Sequence, residues 1–195
     1  MSGLVMEPSK IILGIDPGFG TTGYAILKKD QNKATLLDYG YLSLPTQKHL
    51  SERIGIFYNF FNSKISELKI TQLAIETPFL GKNVQTFLKL GYLRGALYLL
   101  ADQHNINLFE FSPREVKAAV TGFGGASKDQ VASMILRFFP KINQVKATAK
   151  SDVTDALAVC LTGFWMSERK KLLAAVPDMS DKSKLIQKAV PEPKS

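Results

Sequence analysis

A chain of 195 residues, 45% of them apolar and 22% charged, has material for one domain with a sizeable core and too little for two large lobes closing on a cleft. Its N-terminus lacks a continuous apolar segment, and no later stretch approaches the ~20 uninterrupted apolar residues of a membrane helix. Neither a secretory leader nor a membrane span is therefore expected, and the expected location is cytoplasmic. The net charge of +8 points to a polyanionic partner, because clustered Lys and Arg bind phosphates by releasing counterions.

Residues 11–15 form a short, wholly apolar run ended by Asp16-Pro17-Gly18, the pattern of a central strand that stops at Asp16. Strand-like runs follow at 24–27 and 34–44, and their close spacing predicts an antiparallel meander. Leu50, Ile54, Phe57, Phe61, Ile65 and Leu68 recur at steps of three and four, the stripe of a helix packed on a sheet. A fourth strand is expected over 72–76, a second long helix over 84–103 and a fifth strand over 106–111. Strand-helix-strand connections of that length imply parallel pairing. The prediction is an α/β fold with a five-stranded mixed sheet flanked by helices.

Two helix starts carry capping boxes, Ser112-Pro113-Arg114-Glu115 and Ser127-Lys128-Asp129-Gln130, with Pro at the first helical position of the former. A Gly-rich loop, 122–125, separates them. A last helix is expected to begin at Ser151, an N-cap candidate, with Val153, Leu157, Cys160 and Phe164 on its buried stripe. Cys160, the only cysteine, is expected to be a buried thiol of the core. The apolar pattern decays beyond Trp165, so residues 167–195, rich in Lys and Pro, read as a weakly ordered tail.

Four acids stand out. Asp16 and Glu76 each close a strand, and ligands of α/β sheets gather outside the carboxyl ends of strands; an acid there is also ordinary turn chemistry. Asp152 and Asp155 are one helical turn apart and share a face; two acids also suit the positive end of a helix. Together, with His49 and His104 reading as surface or helix-end residues, the carboxylates make a hard oxygen site suited to Mg²⁺ or Mn²⁺. Paired ions on such a site can activate a water and stabilise the departing oxygen in phosphodiester cleavage. A basic body around an acidic site then fits a DNA endonuclease. Gly18-Phe19-Gly20-Thr21-Thr22-Gly23 matches a dinucleotide fingerprint, but a strand follows it where that fingerprint requires a helix. Phe79 and Lys82 lie on the loop after Glu76, where an aromatic could stack on a base or pack as a lid. Arg114, Lys117 and Lys128 flank the Gly-rich loop, within reach of one phosphate backbone.

These stretches resemble the RuvC family of Holliday junction resolvases over about residues 10–165. The likeness is carried by Ile11-Ile-Leu-Gly-Ile-Asp-Pro-Gly18 with Thr22-Gly-Tyr24, Ala74-Ile-Glu-Thr-Pro-Phe79 with Gly81-Lys-Asn83, and Lys89-Leu-Gly91 with Arg94-Gly95. It continues through Arg114-Glu-Val-Lys117, residues 122–128 and Asp152-Val-Thr-Asp-Ala-Leu157. The resemblance implies an RNase H-like nuclease domain over 10–166, after an extension at 1–9 and before the basic tail. It implies Asp16, Glu76, Asp152 and Asp155 as catalytic metal ligands for Mg²⁺, two ions per site during catalysis, with Mn²⁺ able to substitute. Phe79 becomes the aromatic near the branch point, with Lys117 and Lys128 on phosphates; Lys82 and Arg114, by their position in the sequence, are further expected DNA contacts. The implied activity is paired nicking of a four-way DNA junction by a homodimer in recombination and repair, partnered by a branch-migration motor of the RuvA and RuvB type. Thr77-Pro78 departs from the usual pattern after the Glu. Readings from other classes are a nuclease acting on structured RNA, a non-catalytic junction-binding module, and a kinase or ATPase of the actin and sugar-kinase class, which the absence of a second lobe disfavours.

Overall fold

The computed structural model describes residues 10–30, 33–78, 84–144 and 147–175. Strands β1 (Lys10–Asp16), β2 (Thr21–Asp30) and β3 (Lys33–Ser43) form the expected antiparallel meander. Helix α1 (Leu50–Leu68) leads to β4 (Gln72–Glu76), and α2 (Val84–Gln103) to β5 (Asn107–Phe111). Both of these strands run parallel to their neighbours, giving the sheet order β3-β2-β1-β4-β5. The expected five-stranded mixed sheet is present, and the strand-helix-strand crossovers account for its parallel half. Then come α3 (Pro113–Thr121), α4 (Lys128–Phe138), a 3₁₀ turn (Pro140–Gln144) and α5 (Ala147–Ala175).

Helices cover both faces of the sheet. On one face, Leu13, Ile15, Tyr24 and Ile26 pack with Phe57, Phe61 and Ile65 of α1 and with Leu93, Leu97 and Leu100 of α2. Phe57 and Tyr24 meet Phe61 edge-on, a geometry worth about 0.5–1.5 kcal/mol per pair beyond area burial. On the other face, α5 approaches β1 so closely that a Cβ on Gly14 would overlap Cys160. Cys160 is fully buried, with its sulfur 3.3 Å from the carbonyl oxygen of Ile12, and burial pushes its thiol up to about 12. The core role expected of it follows.

Both capping boxes form. Glu115 N donates to Ser112 Oγ (3.2 Å) while Ser112 N donates to Glu115 Oε2 (2.7 Å), and Gln130 and Ser127 repeat the exchange. Helix α5 departs from expectation. It begins at Ala147, a turn before Ser151, because Ala-Thr-Ala-Lys can enter the helix with no proline or glycine to stop it. Ser151 is therefore not an N-cap, and Asp152 and Asp155 lie beyond the first turn. The helix also continues to Ala175, through a stretch of strong helix formers. The chain divides into two compact units, Met1–Trp165 and Met166–Ser195.

Candidate active site

Strand parity brings Asp16 and Glu76 together. Side chains alternate between the faces of a sheet. In β1, Leu13 and Ile15 face α1 and α2 while Gly14 faces Cys160 of α5, so Asp16 projects on the α5 side. In β4, Ala74 lies against Gly163 of α5, so Glu76 projects there too. Ile15 pairs with Ile75 in parallel register, which sets the next residues, Asp16 and Glu76, side by side at the carboxyl ends of neighbouring strands.

Helix α5 delivers the other two acids to the same place. Gly23 pairs with Asp16 across β1 and β2, and a Cβ on Gly23 would overlap the carbonyl oxygen of Asp152. The missing side chain lets the helix descend onto the sheet. One turn further, Asp155 lines a cleft of about 380 Å³ with Asp16, Glu76, Lys117 and Lys128. The Asp16 turn is pinned by Thr22, whose hydroxyl donates to Gly18 O (2.9 Å) and accepts from Gly18 N (3.2 Å). This hydrogen-bonded turn, followed directly by β2, excludes the dinucleotide geometry at Gly18–Gly23.

The electrostatics of the cluster are those of crowded acids. Burial, then the charges of Asp155, Glu76 and Asp152, pushes the Asp16 carboxyl up to about 7. Burial and Asp155 raise Glu76 as well, opposed by Lys117 and Lys128, and burial and Asp155 raise Asp152. Lys128 Nζ lies 2.6 Å from Asp155 Oδ2. That hydrogen bond, with the other acids, raises the Lys128 ammonium above its usual range.

The donor set, four carboxylates without a thiol or imidazole, has the chemistry of a hard divalent cation site, and the mutual repulsion is what such a cation relieves. Among the described residues, no three acidic, imidazole or thiol side chains converge closely enough to hold an ion as they stand; Lys128 supplies the neutralising charge instead. Of the expected DNA contacts, Lys117 and Lys128 line the cleft with the acids, whereas Arg114 packs over the loop at Gly124. Phe79 and Lys82 lie outside the described residues. His104 is at the end of α2, bonded through Nε2 to Asn62 Oδ1 at 2.7 Å, and His49 precedes α1, as expected.

Arg94, which the sequence places in a family-like motif without a role, is buried in the fold. Its side chain donates to the carbonyl oxygen of Glu76 at 2.6 Å and ion-pairs with Glu110 of β5. It thereby ties the end of β4, where Glu76 sits, to α2 and β5. Its position beside Gly95 in a helix gave no hint, because the partner acid lies on the next strand.

Comparison with known proteins gives the family and the fold. The profile of the family described as crossover junction endodeoxyribonuclease RuvC matches residues 12–163. A protein of that name from Chlorobium phaeovibrioides is 44% identical over 152 residues, covering 77% of this chain and 79% of the relative. The structure of Thermus thermophilus RuvC superposes with a TM-score of 0.71 at 26% identity, over 82% of this chain and 96% of that one. The structure of the same protein in complex with Holliday junction substrate has a TM-score of 0.69 at 24% identity over the same shares and supports the fold. The fold is RNase H-like, as expected, and the chain belongs to the RuvC family of crossover junction endodeoxyribonucleases.

Proposed function

We propose that this protein is a structure-selective endonuclease that resolves Holliday junctions by paired, symmetric nicks in recombination and DNA repair. The observation that carries the reading is the meeting of Asp16, Glu76 and Asp155, from two strands and a helix, in one cleft whose rim holds Lys117 and Lys128. A nuclease acting on a polyanion needs both halves, acids for a metal and cations for the strand.

Asp16, Glu76, Asp152 and Asp155 would hold Mg²⁺, replaceable by Mn²⁺, with two ions per site during catalysis. Bound metal supplies an activated water and stabilises the departing oxygen. The protein's own groups prepare for it. Burial and the neighbouring acids raise the Asp16 carboxyl to about 7, and Lys128 pairs with Asp155. Lys128 and Lys117 would face the phosphates of the incoming strand, with Arg114, Lys82 and the aromatic Phe79 completing the DNA contacts. Two nicks placed symmetrically need two such sites, so the functional unit is a homodimer. Val84, Leu88, Tyr92 and Leu99 expose one apolar stripe of α2, which suits an isologous contact. Within the chain, residues 10–166 are the nuclease domain, with 1–9 an extension and 167–195 a basic tail. Family membership supports a cytoplasmic enzyme working with a branch-migration motor.

The test is a four-way DNA junction labelled on each strand in turn, incubated with and without Mg²⁺ beside a linear duplex and a four-way RNA junction. Symmetric, Mg²⁺-dependent nicks confined to the DNA junction are expected. Intact junctions in Mg²⁺, or equal cutting of RNA, would overturn the reading.

A further inference from the structure

The loop between α3 and α4 carries an aromatic ring that neither the catalytic reading nor the core uses. Phe123 is 67% exposed. Single exposed apolar side chains are common, but this one is held in place. Helix α3 ends at Gly122, whose φ of 81° turns the chain out of the helix. The Thr121 hydroxyl accepts from Phe123 N at 3.2 Å and donates to Lys117 O at 2.8 Å, with Phe123 O 3.1 Å away. The backbone on either side of Phe123 is thus tied to the helix that bears Lys117.

The two following glycines leave room for flat packing. A Cβ on Gly125 would stand 2.6 Å from Phe123 Cζ, and one on Gly124 would stand 2.6 Å from Arg114 Cγ. The ring and the arginine stem therefore lie across bare backbone. Beyond the ring opens a cleft of about 310 Å³, lined also by Met134, Gln130 and Arg137 of α4. The loop joins the two helices whose lysines, Lys117 and Lys128, line the acidic cleft, but its own cleft shares no lining residue with that one, so the ring stands on a separate surface that also bears Arg137. An exposed aromatic on a tied backbone, with an arginine lining the same cleft, is an arrangement that stacks a nucleobase while the cation holds a neighbouring phosphate.

We infer that Phe123 is a base-stacking platform: a nucleobase of the junction DNA, beyond the nucleotides held in the acidic cleft, lies on its ring, with Arg137 on a flanking phosphate. This positions the strand rather than performing chemistry, and it rests on the junction-nuclease reading above. It gives the DNA an aromatic contact on the loop between α3 and α4.

The experiment uses the full-length protein and four-way junctions carrying 2-aminopurine at single positions on either side of the nick. Wild type, Phe123→Ala, Phe123→Leu and Phe123→Trp are compared, for probe emission without Mg²⁺ and for nicking rate with it. Leu keeps the apolar volume and Trp keeps the stacking face, so a packing role and a stacking role separate. The expected result is one probe position whose emission on binding changes at least twofold in the Ala and Leu variants and returns in the Trp variant. Nicking slows roughly tenfold in the first two, with all four thermal midpoints alike. Ala and Leu variants that nick at the wild-type rate, with no probe position altered, overturn the inference while leaving the nuclease reading intact. Failure of the wild type to bind or nick the junction overturns that reading and this inference with it.

Discussion

Lys128 Nζ stands 2.6 Å from Asp155 Oδ2, so the acidic cluster carries its own cation. This pair competes with a metal for Asp155, and its ammonium repels an incoming divalent ion. Lys128→Met should therefore tighten Mn²⁺ binding by the metal-free protein. Because the lysine side chain is 66% exposed, the pair is worth less than about 1 kcal/mol, which limits the gain to about two- to fivefold. Junction binding should weaken at the same time, and the slope of log affinity against log salt should fall by about one. Calorimetry and salt-dependent binding check the two halves; weaker Mn²⁺ binding would refute the competition.

Asp16 sets a pH dependence. Its carboxyl is raised from 3.8 to about 7 in the fold, so across that window the folded protein retains a proton that the unfolded chain has released. Metal-free stability is then greatest at the acidic end and falls as pH rises towards 7. Asp16→Asn removes this dependence, so its advantage in melting temperature over wild type should grow from pH 4.5 to 8. A constant difference would show that Asp16 titrates normally. Metal binding displaces the same proton, and affinity should rise over the same range.

Arg94, 8% exposed, joins Glu110 to the Glu76 carbonyl. Arg94→Ala removes one donor from the Glu76 carbonyl and the cation from Glu110, a change that costs about 1–3 kcal/mol because Glu110 is 34% exposed. Urea unfolding measures it. A loss below about 1 kcal/mol would mean that Glu76 is positioned without Arg94.

Gly23→Ala places a methyl group against the Asp152 carbonyl. The helix must lift from β2, at a cost of about 1–3 kcal/mol, and both α5 acids move with it. Nicking should fall more than tenfold, since small misplacement of reacting groups is expensive. A variant with wild-type nicking would show that α5 tolerates the shift.

Much of this architecture was legible in the chain. Asp-Pro-Gly after an apolar run marks the end of β1, and the bounds of α2 and β4 follow from apolar spacing. That Asp16 and Glu76 share a face follows only when Ile15 is known to pair with Ile75, a register that no local pattern states. Ser151 misled because a good cap residue competes poorly with a helix already under way from Ala147. The role of Arg94 was not legible because its partner, Glu110, is brought to it by the fold from sixteen residues away; the setting of Phe123 is local, but a Gly-rich loop does not announce that its aromatic stays exposed.

The central claim, that these carboxylates drive junction cleavage, is tested most directly by Asp152→Asn. Nicking and binding of one labelled four-way DNA junction are measured on the same preparation in Mg²⁺. The account predicts binding within about twofold of wild type, because no phosphate contact is lost, and nicking reduced by at least a hundredfold. Wild-type nicking by this variant would contradict it.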